Sequence, residues 1–144
     1  MADNQTTAAE PTDGRVTRVQ GSVIDVEFPV GHLPDIYNAL KVKIVNTGAK
    51  EEGEAKVTEI TLEVEQHLGD STVRCVALKP TDGLVRGTLV SDTGAPISVP
   101  VGDVTKGHVF DVSGNILNKK PDETITVTER WPIHRNPPAF DQLE

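Results

Sequence analysis

Thr58-Glu59-Ile60-Thr61-Leu62-Glu63-Val64-Glu65 (TEITLEVE, residues 58–65) puts Ile60, Leu62 and Val64 on one side of the chain and Glu59, Thr61, Glu63 and Glu65 on the other. A period of two belongs to a β-strand with one buried and one wet face. The same alternation recurs upstream. Leu40–Asn46 sets Leu40, Val42 and Ile44 against Lys41 and Lys43, and Ser22–Phe28 sets Ile24, Val26 and Phe28 against Asp25 and Glu27. Arg15–Gln20 precedes them across Gly21, and Pro29-Val30-Gly31 with Pro34 interrupts the pattern. Downstream, His67-Leu68-Gly69-Asp70 supplies a turn, and Ser71–Lys79 aligns Val73, Cys75 and Ala77 on one face. Pro80-Thr81-Asp82-Gly83 is a further turn signal, and the charged, Gly-punctuated Thr47–Lys56 reads as a solvated hairpin tip. Five or six short strands with no helical period between them imply a small closed barrel or a sandwich. The barrel is favoured, because closure removes the unpaired edges that this chain does little to protect.

A length of 144 residues fits one domain, or a small domain with part of a second. Only 36% of residues are apolar and 3% aromatic, so the core must be built from Val, Ile and Leu. Residues 1–13 are polar and form a tail, and residues 14–92 form the barrel. After Gly87 the character shifts, and residues 88–144 hold six of the ten prolines. Thr88–Val90, Ile97–Val101, His108–Val112 and Thr124–Thr128 are candidate short strands. Trp131–Phe140 should be extended, since proline fixes its own φ and biases its predecessor away from helix. Residues 93–144 lack the apolar mass for a core of their own, while Trp131, Ile133 and Phe140 read as side chains to be buried. The proline-rich strip fits a connecting segment laid over a domain surface better than a polyproline ligand.

The formal charge of −8 repels a phosphate backbone and argues against nucleic acid. No apolar run approaches the roughly 20 residues that span a bilayer. The N-terminus lacks a charged-then-apolar signal, and a lone Cys75 fits a reducing compartment, so the expected location is the cytoplasm. No Gly-x-x-x-x-Gly-Lys-Ser/Thr occurs, and without that amide cradle the chain is not expected to bind ATP in the phosphate-loop manner. Asp92-Thr93-Gly94-Ala95 has the look of the tetrad of a dimeric aspartic protease, in which two carboxylates share a proton. It equally satisfies an Asx-type turn, and the following Pro96 with no later supporting loop favours the turn. His32, His67, His108 and His134 are far apart and lack partners at metal-ligand spacing. Cys75 reads as a small buried hydrophobe. The acidic positions Glu59, Glu63 and Glu65 read as a solvated strand face. No catalytic, cofactor-binding or metal residue is expected.

Several stretches together resemble one family. Gly14-Arg15-Val16 through Gly21–Phe28 is similar to the opening of F-type ATP synthase β subunits. Leu33–Leu40, then Leu62–Asp70 with Val73-Arg74 and Val76–Leu78, look like that family's next segments. Thr81–Gly87, Asp92–Gly102 and Trp131–Arg135 with Pro137-Pro138 and Phe140-Asp141 complete the same order. The resemblance implies a six-stranded antiparallel barrel followed by the extended, strand-containing start of an α/β nucleotide-binding domain. It also implies that Asp92-Thr93-Gly94 is structural. The implied setting is a ring of alternating α and β subunits around a central γ shaft, peripheral to the cytoplasmic face of a bacterial plasma membrane. The complete enzyme makes ATP from ADP and phosphate with a proton gradient and uses Mg-ATP; its nucleotide-binding and catalytic groups are expected beyond Glu144. The other classes kept open are the dimeric aspartic protease on Asp92 and a stand-alone barrel that binds a protein.

Overall fold

A computed structural model describes residues 12–46 and 56–142. The chain divides into two units, one ending at Ala95 and the other beginning at Pro96. The hairpin tip expected at Thr47–Lys56 lies, but for Lys56, outside the described residues.

The first unit is a closed barrel of six antiparallel strands. They are β1 (Gly14–Gln20), β2 (Val23–Glu27), β3 (Asn38–Asn46), β4 (Lys56–Gly69), β5 (Thr72–Ala77) and β6 (Leu89–Pro96). Around the barrel the order is β1, β2, β5, β4, β3, β6, with β6 returning to β1 through Gly14 opposite Val90 and Arg15 opposite Leu89. The alternating apolar residues fill the interior. Ile24, Val26, Leu40, Val42, Ile60, Leu62, Val64, Val73, Cys75 and Val90 are almost wholly shielded from solvent, joined by Val16, Phe28, Ile44, Ala77 and Leu84. Burying each such aliphatic side chain contributes about 1.5–3 kcal/mol, so this cluster carries the unit.

Local chemistry sets the register. The β4–β5 hairpin turns on Asp70 and Ser71, at φ +48° and +58°, between the paired Gly69 and Thr72. Two left-handed residues in a two-residue loop match the twist of the flanking strands. The strand therefore runs to Gly69, past the turn anticipated at His67. A bulge at Thr17 shifts β1 against β2, and the Thr17 hydroxyl donates to the Asp25 carbonyl at 3.1 Å. Gly14 lies where an added Cβ would come within 2.8 Å of both the Phe28 ring and Val26 Cγ1. Only a residue without a side chain fits there.

The outer face is less wet than alternation implies. Asp25 and Glu63 point outward yet are only 6% and 7% exposed, and Thr61 is buried as well. The expectation of a solvated face holds for the exposed Glu59 and Glu65 but not for Glu63. Arg74 lies over Asp25 through two hydrogen bonds, which accounts for the burial of that carboxylate.

The second unit contains a two-stranded sheet, β7 (Ser98–Pro100) with β8 (Arg130–Pro132). Pro100 and Pro132 have no amide hydrogen to donate, which keeps this ladder short. His108–Val112 forms only one bridge, Phe110 with Ile116, and Thr124–Thr128 forms no strand. The expected strands there fail because their apolar residues are scattered and find no partner strand in this unit. Two single 3₁₀ turns, Asp103–Thr105 and Phe140–Gln142, complete it. Trp131, Ile133 and Phe140, read as residues to be buried, are exposed, Phe140 at 91%.

Candidate functional site

Three places gather chemistry-bearing side chains, and each is built by the fold from residues distant in sequence.

The first is the Asp92-Thr93-Gly94 turn in β6. Asp92 Oδ1 accepts the Gly94 amide at 2.9 Å, closing an Asx turn. Asn38 Nδ2, at the start of β3, lies 3.2 and 3.3 Å from the two carboxylate oxygens. The Thr93 hydroxyl reaches the Ala39 carbonyl at 2.7 Å. The carboxylate is thus an acceptor that clasps β6 to β3. A protease dyad needs a carboxylate free to share a proton with its twin, and here both oxygens face amide donors. The open cavity beside it, about 340 Å³, is bounded by Thr12, His32, Leu33, Asp92, Thr93 and Gly94.

The second is the Asp25–Arg74 pair on adjacent strands β2 and β5, opposite each other in register. Arg74 Nε donates to Asp25 Oδ1 at 2.8 Å and Nη2 to Oδ2 at 2.9 Å. This fork-to-fork geometry is the strong form of an ion pair. The hydrogen bonds from Arg74 hold the Asp25 carboxyl below its usual range, against the opposing effect of burial, and Asp25 in turn raises Arg74. Behind it, inside the barrel, burial above all pushes the Cys75 thiol up to about 12, with the Asp25 and Glu65 charges adding to it. A thiol held protonated is a poor nucleophile. Its reading as a small hydrophobe agrees with this burial.

The third lies in the second unit. Asp111 Oδ1 accepts the amides of Ser113 and Asn115 at 2.8 and 2.9 Å, and Oδ2 accepts Asn115 Nδ2 at 2.9 Å. Arg130 Nη2 donates to the Ser98 carbonyl at 2.8 Å, and Gly114 lies where an added Cβ would sit 2.9 Å from that nitrogen and 2.8 Å from Pro100 Cδ. His108 holds the Val104 carbonyl through Nδ1 at 2.9 Å and faces Glu123 through Nε2 at 3.5 Å. Glu123 is held below the usual carboxylate range, first by the Lys120 amide and then by His108. The Arg135 guanidinium lies 3.6 Å from the Trp131 ring centroid, a cation–π contact. Apart from the Arg130 bond to Ser98 across the β7–β8 pair and the His108–Glu123 contact, these interactions lie within local turns.

The remaining histidines stay apart. His67 Nε2 contacts the Pro34 carbonyl at 2.7 Å and ties down the β2–β3 loop, while His32 and His134 are exposed. Among the described residues no group of three or more His, Cys, Asp and Glu side chains is placed to hold a metal ion, and no helix is long and apolar enough to cross a membrane. Sequence reasoning missed the Asp25–Arg74 pair. Its signal was an outward Asp and an outward Arg on alternating strands, legible only once the β2–β5 register is known. Compared with known families, the chain matches, over residues 16–94, the β-barrel domain of the ATP synthase alpha/beta family.

Proposed function

Because the chain belongs to the ATP synthase alpha/beta family, we propose that it is the N-terminal collar segment of the catalytic β-type subunit of a proton-translocating ATP synthase. The observation that carries this reading is the closed six-stranded barrel of residues 14–95, on which the family match falls. The β-type assignment rests on the collinear motifs, above all Leu62–Asp70 and Asp92–Gly102. In this role the barrel supplies a stiff element by which neighbouring α-type subunits are held in a ring while other parts of the subunits hinge. Closure favours stiffness, since every strand has two partners and no edge frays.

The sequence holds no Gly-x-x-x-x-Gly-Lys-Ser/Thr motif. Mg-ATP chemistry and contact with a γ shaft belong to the complete subunit, in a complex peripheral to the cytoplasmic face of a bacterial membrane. The test is sedimentation of the chain mixed with the purified α-type subunit of the same source, alongside calorimetry with Mg-ATP. A mixed complex with no heat of nucleotide binding is expected. Tight Mg-ATP binding, or the absence of any mixed complex, contradicts the reading.

A further inference from the structure

The tripeptide Thr-Asp-Gly occurs twice, as Thr12-Asp13-Gly14 and as Thr81-Asp82-Gly83, each with a valine two residues after its glycine. An aspartate followed by glycine can react with its own main chain. The glycine amide nitrogen attacks the protonated side-chain carboxyl carbon, and a glycine has no Cβ to obstruct that approach. The carboxyl hydroxyl and the amide proton leave together as water, and a cyclic succinimide forms. Addition of water reopens the ring at either carbonyl, giving back aspartate or giving isoaspartate, whose main chain runs through the former side chain. No oxidant or reductant takes part. With the same local sequence at both sites, any difference in reactivity comes from the fold.

The fold treats the two sites in opposite ways. Gly14 is buried at the start of β1, opposite Val90 in the ladder that closes the barrel. The Phe28 ring and Val26 crowd it so closely that a Cβ would not fit. The Asp13–Gly14 peptide therefore has no room to swing, and ring closure there would pull Gly14 out of the ladder. Asp82 and Gly83 instead form an exposed turn. The Leu84 amide donates to the Thr81 carbonyl at 2.9 Å, and Gly83 has φ +86° with Asp82 outside the left-handed region. That is the type II turn, in which the amide between the two central residues takes no part in the turn's own bond. Glycine in the third position accepts either sign of φ, so this peptide plane can rotate and carry its nitrogen to the Asp82 carboxyl carbon. The flanks hold the turn in place meanwhile, with Leu84 in the barrel core and the Thr81 hydroxyl donating to the Gly21 carbonyl at 2.8 Å.

We infer that Asp82 is a site of spontaneous isoaspartate formation, and so a substrate position for a carboxyl methyltransferase that recognises isoaspartyl residues, while the barrel ladder protects Asp13. In that methylation the methyl group passes from the sulfonium of S-adenosylmethionine to the freed α-carboxylate, and S-adenosylhomocysteine leaves. The resulting ester closes again to the succinimide with loss of methanol, which returns part of the modified chain to aspartate.

The experiment ages the full chain at physiological temperature and neutral pH, as native protein, Asp82→Glu and Asp13→Glu, with native chain in guanidinium chloride alongside. Samples are returned to buffer, incubated with an isoaspartyl methyltransferase and labelled S-adenosylmethionine, and the label is mapped by mass spectrometry of peptides. A glutamate at either site keeps the charge but would have to close a larger ring, so it removes the reaction and not the fold. Label that rises with ageing in the native chain and in Asp13→Glu, maps to Asp82, and is lost in Asp82→Glu is the expected result. The unfolded chain should be labelled at Asp13 and Asp82 alike. An aged folded chain without label at Asp82, or with as much at Asp13, overturns the inference. Label confined to Asp82 in the unfolded chain also overturns it, because the difference would then lie outside the fold.

Discussion

The two units of this chain answer the same entropic demand in opposite ways. In residues 14–95, six strands contribute side chains to one shared interior, so each apolar residue is supported by residues far away in sequence. In residues 96–142, order comes from short-range polar bonds, such as Asp111 with Ser113 and Asn115, and from one three-residue ladder. The core cluster draws all its members from Val16–Val90. Net stabilisation from a hydrogen bond is about 1 kcal/mol, against a backbone ordering cost of about 1–2 kcal/mol per residue. Turns braced by polar bonds are therefore marginal by themselves, whereas a closed barrel with a dry interior is not.

That contrast is sharpest under core truncation. Leu62→Ala and Ile60→Ala should each destabilise the barrel by about 2–5 kcal/mol, read by urea denaturation. Phe140→Ala should change stability by less than about 0.5 kcal/mol; a larger loss would show that the second unit shares a cooperative core. Next in size is Gly14→Ala, which forces a methyl into the Phe28 ring and Val26. Overpacking costs about 1–3 kcal/mol, and a thermal midpoint unchanged from the native chain would contradict the close approach. Asp92→Ala leaves the Gly94 amide and Asn38 without their acceptor and should cost about 0.5–1.5 kcal/mol. Asp92→Asn, which keeps an acceptor oxygen for the turn, should cost less.

The smallest effect is titrational. The Asp25 carboxyl is depressed in the folded barrel relative to its ordinary 3.8. Its contribution to stability is therefore fully present above that value and is lost as pH falls below it toward the folded value. Urea midpoints of native chain and Asp25→Asn should converge as pH is lowered below about 4. Parallel curves through that range would mean that the Arg74 bond does not shift Asp25.

Much of the barrel was legible because its inward residues alternate without error. Ile24, Val26, Leu40, Val42, Ile60, Leu62, Val64, Val73 and Cys75 all reach the interior, and closure over a sandwich followed from edge protection. Alternation says nothing about what lies over an outward residue, so the burial of Asp25 and Glu63 escaped it. Asp92 was readable as a turn from its own neighbours, but its clasp to Asn38 needed the β3–β6 adjacency. In the second unit, Arg130–Pro132 pairs with Ser98–Pro100 across some thirty residues. Proline at both ends of that pairing hides it from any strand rule. Tyr37 is a further case, since no propensity places a tyrosine at φ +73°.

Hydrogen exchange on the intact chain, followed by mass spectrometry, tests the central claim most directly. Amides of β2, β4 and β5 should exchange only through global opening of the barrel, while those of residues 101–129 exchange orders of magnitude sooner through local opening. Equal protection from Gly14 to Gln142 would contradict the account, because the chain would then be one cooperative body and not a closed barrel followed by locally braced turns.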